Sequence, residues 1–433
     1  MNGQRPHDER QQEQEPRRGQ RPGDRRVVVT GLGVIAPNGV GTEPFWKAVQ
    51  QGVSVLGPVT RKGCTELPLR VAGEVGDAFD PAGLVESRYL VQTDRFTHFA
   101  MAAADLALTD AQLATDPQSP YAIGVVTAAG SGGGEFGQGE LQQLWGKGPH
   151  FVGPYQSIAW FYAASTGQIS IRGGFQGPCG VVANDEAGGL DAFGQACRTV
   201  RGGTDAVVVG ATEAPLAPYS VVCQLGYPEL SLATDPHRAY LPFTDDACGF
   251  SPAEGGAMFV VEEESAARRR GATVRAVVAG HAATFTGTSG WARSRQGLAR
   301  AIQGALAQAG CSPAEVDVVF ADALGIPEAD QAEALAIADA LGPHAAKVPV
   351  TAPKTGFGRA YSGASALDAA AAVLALEHGV VPPTPNITEV RHDLDLVTGE
   401  ARTVPLRTAL VLSRGLMGCN SALVLRRGEG DRR

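Results

Sequence analysis

Between Gly177 and Ala192 the chain reads GPCGVVANDEAGGLDA: an apolar strand, a sharp polar turn and a glycine-rich helix start, with Glu186 at the apex. Such an elbow presents one side chain at a helix N-terminus, where unpaired N–H groups and the macrodipole stabilise developing negative charge. A cysteine or serine at the apex would be a nucleophile; this chain has a carboxylate, which the helix end favours in its ionised form. A plainer reading stands beside the catalytic one. Asn184 and Asp185 are preferred N-caps, and an acidic first turn complements the dipole.

Other chemistry-bearing residues carry less. The seven cysteines are scattered without C-x-x-C or Cys/His ligand spacing, so neither a metal site nor a disulfide framework is expected. Cys179, in the strand before the elbow, reads as a small buried core thiol. His98, His281 and His378 fall in helical or strand-like contexts and read as structural histidines. Gly31-Leu-Gly33 is an incomplete dinucleotide fingerprint, because Ala36 and Pro37 follow and no ribose-binding acid stands at the right distance; it reads as a first-strand turn. In the run from Glu262 to Gly271 acids precede bases, with Glu264 and Arg268 at helical spacing, which reads as a solvated helix.

The elements that must position the elbow follow from periodicity. Apolar strands at Ala206–Gly210, Ala257–Val261 and Val316–Phe320 alternate with alanine-rich helical stretches, the pattern of an α/β protein. Two related halves fit 433 residues better than one, with a boundary near Gly271 to Val274. From about Gly363 to His378 nearly every residue is small and apolar, so that helix has no polar face to offer water and is expected at the centre, with Gly379 as its stop.

The elbow resembles the active-site segment of the β-ketoacyl synthases, condensing enzymes of thiolase fold that carry a cysteine at the position of Glu186. Asp317-Val-Val-Phe-Ala-Asp322-Ala-Leu-Gly325 resembles the strand ending in an N-A-H-G-T-G motif, with Asp322 in place of the first catalytic histidine. Lys354-Thr-Gly-Phe-Gly-Arg359-Ala-Tyr-Ser-Gly-Ala364 resembles K-S-x-x-G-H-x-x-G-A, with Arg359 in place of the second histidine and the motif lysine retained as Lys354. Further matching segments are Val27–Pro37, Tyr240–Phe250, Ala253–Gly256 and Ser413–Gly418, so the resemblance spans about Val27 to Leu425. With all three reacting side chains replaced, the pattern is similar to the chain-length factors, or ketosynthase β subunits, of bacterial type II polyketide synthases, although glutamine is the commoner elbow residue there.

That resemblance implies a five-layered αβαβα thiolase fold of two related halves, residues 27–273 and 274–426, between a disordered tail at 1–26 and a flexible one at 427–433. It implies a subunit without condensing chemistry of its own, since a carboxylate attacking a thioester would leave an anhydride rather than a stable acyl-enzyme. An Arg359 lying between Glu186 and Asp322 would turn the former site into a buried ion cluster. The implied partners are a catalytic ketosynthase α subunit, in a heterodimer joined along the strand before the elbow, and an acyl carrier protein that brings the phosphopantetheine. No cofactor of the chain's own is expected. The implied functional surface is the closed end of a shared tunnel, at Gly134, Gly137 and Leu141 on one helical face with Tyr219 as a second candidate; two glycines and a leucine leave a roomy end. Two alternatives remain open: a malonyl-carrier-protein decarboxylase using Glu186, although an ionised carboxylate lacks the hydrogen-bond donor that a glutamine offers, and a stand-alone acyl-binding protein of the same fold.

Composition narrows the classes. The first 26 residues mix Arg, Gln, Glu, Pro and Gly with almost no apolar side chain, too little to offset the entropy of ordering. The net charge is −9 and the tail arginines are interspersed with acids, so nucleic-acid binding is not expected. No apolar stretch follows Met1 and none elsewhere approaches a membrane span, which points to a soluble cytoplasmic protein.

Overall fold

The computed structural model describes residues 25–114, 119–287 and 289–428; the expected tails, apart from residues 25–26 and 427–428, lie outside the described residues. Ten strands carry the fold. In the first half these are β1 (Val27–Ala36), β2 (Ile123–Ala128), β3 (Cys179–Val182), β4 (Ala206–Glu213) and β5 (Gly255–Glu263). In the second half they are β6 (Ala276–Phe285), β7 (Val318–Phe320), β8 (Pro349–Thr351), β9 (Thr408–Arg414) and β10 (Cys419–Arg427). The first set is ordered β3-β2-β4-β5-β1 and the second β8-β7-β9-β10-β6. In each the first two pairings are parallel and the last two antiparallel. The halves are therefore topological copies of each other. They join where Val27–Val29 pair antiparallel with Ala276–Val278.

Six helices complete the layers: α1 (Arg95–Asp110), α2 (Gly134–Lys147), α3 (Gly188–Arg201), α4 (Arg295–Ala309), α5 (Pro327–Leu341) and α6 (Tyr361–His378). α1 lies on the outer face of the first sheet and α4 on that of the second, while α3 and α6 pack against each other between the sheets. This is the five-layered thiolase architecture. α6 is the expected central helix: it is buried from Ser362 to Leu376, where small side chains let both sheets approach. It stops at Gly379 in the left-handed region, φ 66°.

Three local readings change. Gly31 and Gly33 do not form a turn; β1 runs through them to Ala36, and a Cβ on either would stand about 2 Å from a backbone oxygen of α1, 2.1 Å from Ala107 O and 2.0 Å from Ala103 O. Glycine is there to admit a helix. β3 is the edge of its sheet, as a joining strand must be, but Cys179 on it is exposed rather than a buried core thiol. Glu262 belongs to β5 and is buried against Arg270 and Thr30, so the solvated helix begins only at Glu264.

Candidate functional site

Four segments converge where parallel strands end: the turns after β3, β7 and β8 and the last residue of β9. In α/β sheets the C-terminal ends of parallel strands are where loops gather into sites. After β3 a single 3-10 turn, Asp185–Ala187, leads into α3. Neither Asn184 nor Asp185 caps it. Asn184 turns its amide to Asp191, and Asp185 accepts the N–H of Met417 at 3.2 Å across the fold. Glu186 points inward and meets Arg359, which stands between β8 and α6.

Arg359 lies between the two carboxylates. Its Nε donates to Glu186 Oε2, while its terminal nitrogens donate to Asp322 Oδ1 at 2.8 Å, the Asp322 carbonyl at 2.9 Å and the Arg414 carbonyl at 2.7 Å. Arg414, the last residue of β9, gives its backbone N–H to Asp322 Oδ1 at 2.8 Å and its Nε to Oδ2 at 3.1 Å. Its other end reaches Glu333 of α5 at 3.3 Å, and Glu333 in turn accepts the N–H groups of Asp322 and Ala323 at 2.7 and 2.8 Å. Lys354 donates to the Asp322 carbonyl at 3.1 Å and pairs with Asp368 of α6. All of these side chains are buried.

Three cations thus face four carboxylates, one negative charge too many for a dry site if every group is ionised. The environments decide which carboxylate yields. Asp322 sits between two guanidiniums and near Lys354, and these hold it at about 2 against the cost of burial. Glu186 has only Arg359, and burial pushes it up to about 7. Burial also raises Asp368 to about 6, and it raises Glu333 as well. Desolvation of this fully enclosed carboxyl thus opposes the ionised form that a helix end favours.

The backbone around the cluster is strained. Asp185, Ala323 and Tyr361, each within two residues of a replaced position, have φ of 51°, 51° and 44°, and nearby Phe243 has 62°. Side chains with a Cβ seldom adopt this region. Tyr240 ties in the neighbouring loop by donating to the Ala323 carbonyl at 2.6 Å.

The expected tunnel residues gather elsewhere, on α2 and the adjoining Pro218–Gln224 helix, where Gln138 accepts the backbone N–H of Tyr219 at 2.8 Å. Gly137 is buried, but Leu141 is 41% exposed and Tyr219 55% exposed, so in the single chain they face outward rather than into an enclosed cavity. Gly134 is a packing glycine: a Cβ there would stand 2.3 Å from Ser220 Oγ. At Gly137 the nearest atoms to a Cβ, on Trp160 and Gln156, are 3.7 and 3.8 Å away, which leaves room for a side chain.

Arg414, Glu333 and Asp368 were not singled out in the sequence. Arg414 stood there only as part of the Ser413–Gly418 segment. One signal for Glu333 was available, since Ala329, Asp330, Ala332, Glu333, Ala336 and Ile337 fall on the buried face of α5. His281 bonds Asp191 and Ser421, and His378 stacks on Trp46, both in structural settings. Among the described residues no group of His, Cys, Asp and Glu is arranged to hold a metal, and no helix is long and apolar enough to cross a membrane.

Comparison with known proteins agrees with this geometry. Residues 24–267 match the β-ketoacyl synthase N-terminal domain and residues 275–388 the C-terminal domain. A Streptomyces coelicolor protein named "Putative polyketide beta-ketoacyl synthase 2" is 74% identical over 94% of this chain and 96% of its own length. Among solved structures, "The ishigamide ketosynthase/chain length factor" superposes with a TM-score of 0.84 at 29% identity, over 93% of this chain and 99% of the other. A structure described as a type II PKS acyl-carrier protein in complex with its ketosynthase bound to the hexaketide gives 0.83 at 29% identity, over 94% and 100%. With an ion cluster at the end of its parallel strands, the chain belongs to the β-ketoacyl synthase family, in its polyketide branch.

Proposed function

We propose that this protein is a non-condensing chain-length factor: it pairs one to one with a catalytic ketosynthase of a type II polyketide synthase and closes the tunnel in which the poly-β-keto chain grows. The observation that carries this reading is the filled site. At the positions of nucleophile and donors stand Glu186, Asp322 and Arg359, bonded to one another and buried, so no group is free to take an acyl chain or hold an enolate. The malonyl chain and the growing product arrive on an acyl carrier protein, which supplies the phosphopantetheine.

The outer surface favours a partner. β3 is an edge strand with Cys179 and Val181 exposed, and the stretch before it exposes Trp145, Phe151, Ile158, Trp160, Phe161 and Tyr162. An unpaired apolar edge beside so many aromatic side chains is an association surface. It weighs against a stand-alone acyl-binding protein. The decarboxylase alternative is disfavoured because Glu186 is 2% exposed and held by Arg359, out of reach of a carrier-borne thioester.

Product mass from a synthase reconstituted with a type II polyketide ketosynthase that this chain pairs with tests the reading. Leu141→Trp and Gly137→Phe should shorten the product, since overpacking penalties of roughly 1 to 3 kcal/mol oppose further extension. Unchanged length at undiminished yield from both, in a complex that still forms, would remove α2 as the tunnel end. The isolated chain should not condense acyl- and malonyl-carrier proteins, and Glu186→Cys alone should not rescue it; turnover comparable to an active ketosynthase would sink the non-catalytic reading.

A further inference from the structure

α2 begins in a segment that ought to be a hinge. Gly130-Ser131-Gly132-Gly133-Gly134 is four-fifths glycine, Gly132 takes φ 62°, and no side chain caps the helix at Gly133. Glycine-rich backbone has the largest conformational freedom to lose. Of the helix only Gly137 is buried, and its ties to neighbours are at the surface: Glu135 pairs with Arg61, Gln138 accepts the Tyr219 N–H at 2.8 Å and Glu140 accepts the Gly153 N–H.

At its root, two buried carboxylates from other elements hold the loop and the first turn. Glu213, the last residue of β4, accepts the Gly130 N–H, the Ser131 N–H at 3.2 Å and the Ser131 hydroxyl at 2.6 Å. Asp94, just before α1, accepts the Phe96 N–H at 3.2 Å with one oxygen and the Phe136 N–H of α2 at 2.7 Å with the other. Between them the Gly133 N–H donates to the Trp160 carbonyl at 3.0 Å. Glu213 is fully buried and Asp94 nearly so, and burial pushes them up to about 7 and about 6. Enclosing a carboxyl group is costly, and here its hydrogen bonds go to a loop rather than to a guanidinium.

The loop also has a fixed reference. A Cβ at Gly130 would stand 3.8 Å from Ser362 Oγ, and that hydroxyl donates to the Asp185 carbonyl at 2.6 Å, beside Glu186. Ser362 thus lies between the root of α2 and the turn that carries Glu186.

We propose that Glu213 and Asp94 are positioning residues that fix the root of α2, so that the glycine-rich loop does not swing and the tunnel closes at one length. This rests on the chain-length reading above. Loss of either carboxylate leaves Leu141 in place in the sequence but frees the helix that carries it, so the product distribution broadens instead of shifting.

The test uses the complex with the ketosynthase and the variants Glu213→Gln, Asp94→Asn and Ser131→Ala, with Leu141→Trp as a comparison. Amides 130–138 should exchange about 10-fold faster in the variants, the worth of one hydrogen bond to a charged group, while the rest of the chain is unchanged. Products should spread to both shorter and longer chains at similar total turnover. If Glu213→Gln fails to fold, Ser131→Ala, which removes one hydroxyl, carries the experiment. Should Leu141→Trp shift the product while the other variants keep wild-type exchange and a single length, the positioning role is overturned and the chain-length reading stands. Should no variant, Leu141→Trp included, alter length in an intact complex, both fall.

Discussion

The centre and the flank of this molecule use opposite physics. At the centre, seven ionisable side chains, Glu186, Asp322, Glu333, Lys354, Arg359, Asp368 and Arg414, are buried and neutralise one another. On the flank, aromatic and aliphatic side chains from Leu141 to Val181 lie open to water. A lone enzyme would be expected to show the reverse, with a reachable polar site and a covered apolar surface. The inversion supports the chain-length-factor reading proposed above, in which another chain covers the flank.

The most severe way to break the centre is Arg359→Leu, which leaves Glu186 and Asp322 facing each other without the cation between them. Removing one partner of a buried ion cluster costs about 3 to 5 kcal/mol, so urea denaturation should show a large loss of stability or no folded protein. Arg359→Leu with wild-type stability would mean that the cluster does not hold the fold. The flank is broken by Val181→Asp, which puts a charge on the exposed edge strand. Affinity for the ketosynthase should fall at least about 10-fold, equivalent to about 1.4 kcal/mol, while the unfolding midpoint of the isolated chain stays put; undiminished pairing would show that the edge is not the joint.

A finer test of the centre uses pH. The folded state holds Glu186 at about 7, above its ordinary 4.5. For a carboxyl raised on folding, the contribution to stability is fully present below the unfolded value and is lost as pH rises through the folded one. Between pH 5 and pH 8 this group therefore makes the protein less stable, and Glu186→Gln should flatten that part of the profile. An identical slope in the variant would place the proton elsewhere in the cluster.

How far the sequence disclosed these features depends on the range of the interaction. Apolar runs report burial directly, which is why α6 and the strands around Val208 and Phe259 were legible. The Gly31/Gly33 pair was misread because its cause, the closeness of α1, is some seventy residues away in the chain. Cys179 was misread as a core thiol for a different reason: an apolar run reads the same in a sheet's edge strand, where this one leaves Cys179 exposed, as in its middle. The approach of Arg359 to two carboxylates was foreseen through the resemblance, since motif positions of one family share a location. Arg414, Glu333 and Asp368 were not, because a charge buried by its partners looks in sequence like a charge on the surface. The displaced protonation of Glu186 follows from burial that no local pattern around residue 186 encodes.

The left-handed backbone at Asp185, Ala323 and Tyr361 has a consequence for reversibility. Each such residue costs on the order of 1 to 3 kcal/mol. The strain lies beside Glu186, Asp322 and Arg359, the residues that meet at one guanidinium. Introducing reactive side chains there is first a problem of charge. Cysteine and two histidines placed at 186, 322 and 359 would leave Arg414 and Glu333 with the charge of Asp322 withdrawn from between them. The second change needed for a return to chemistry would lie in those two residues, outside the reacting set.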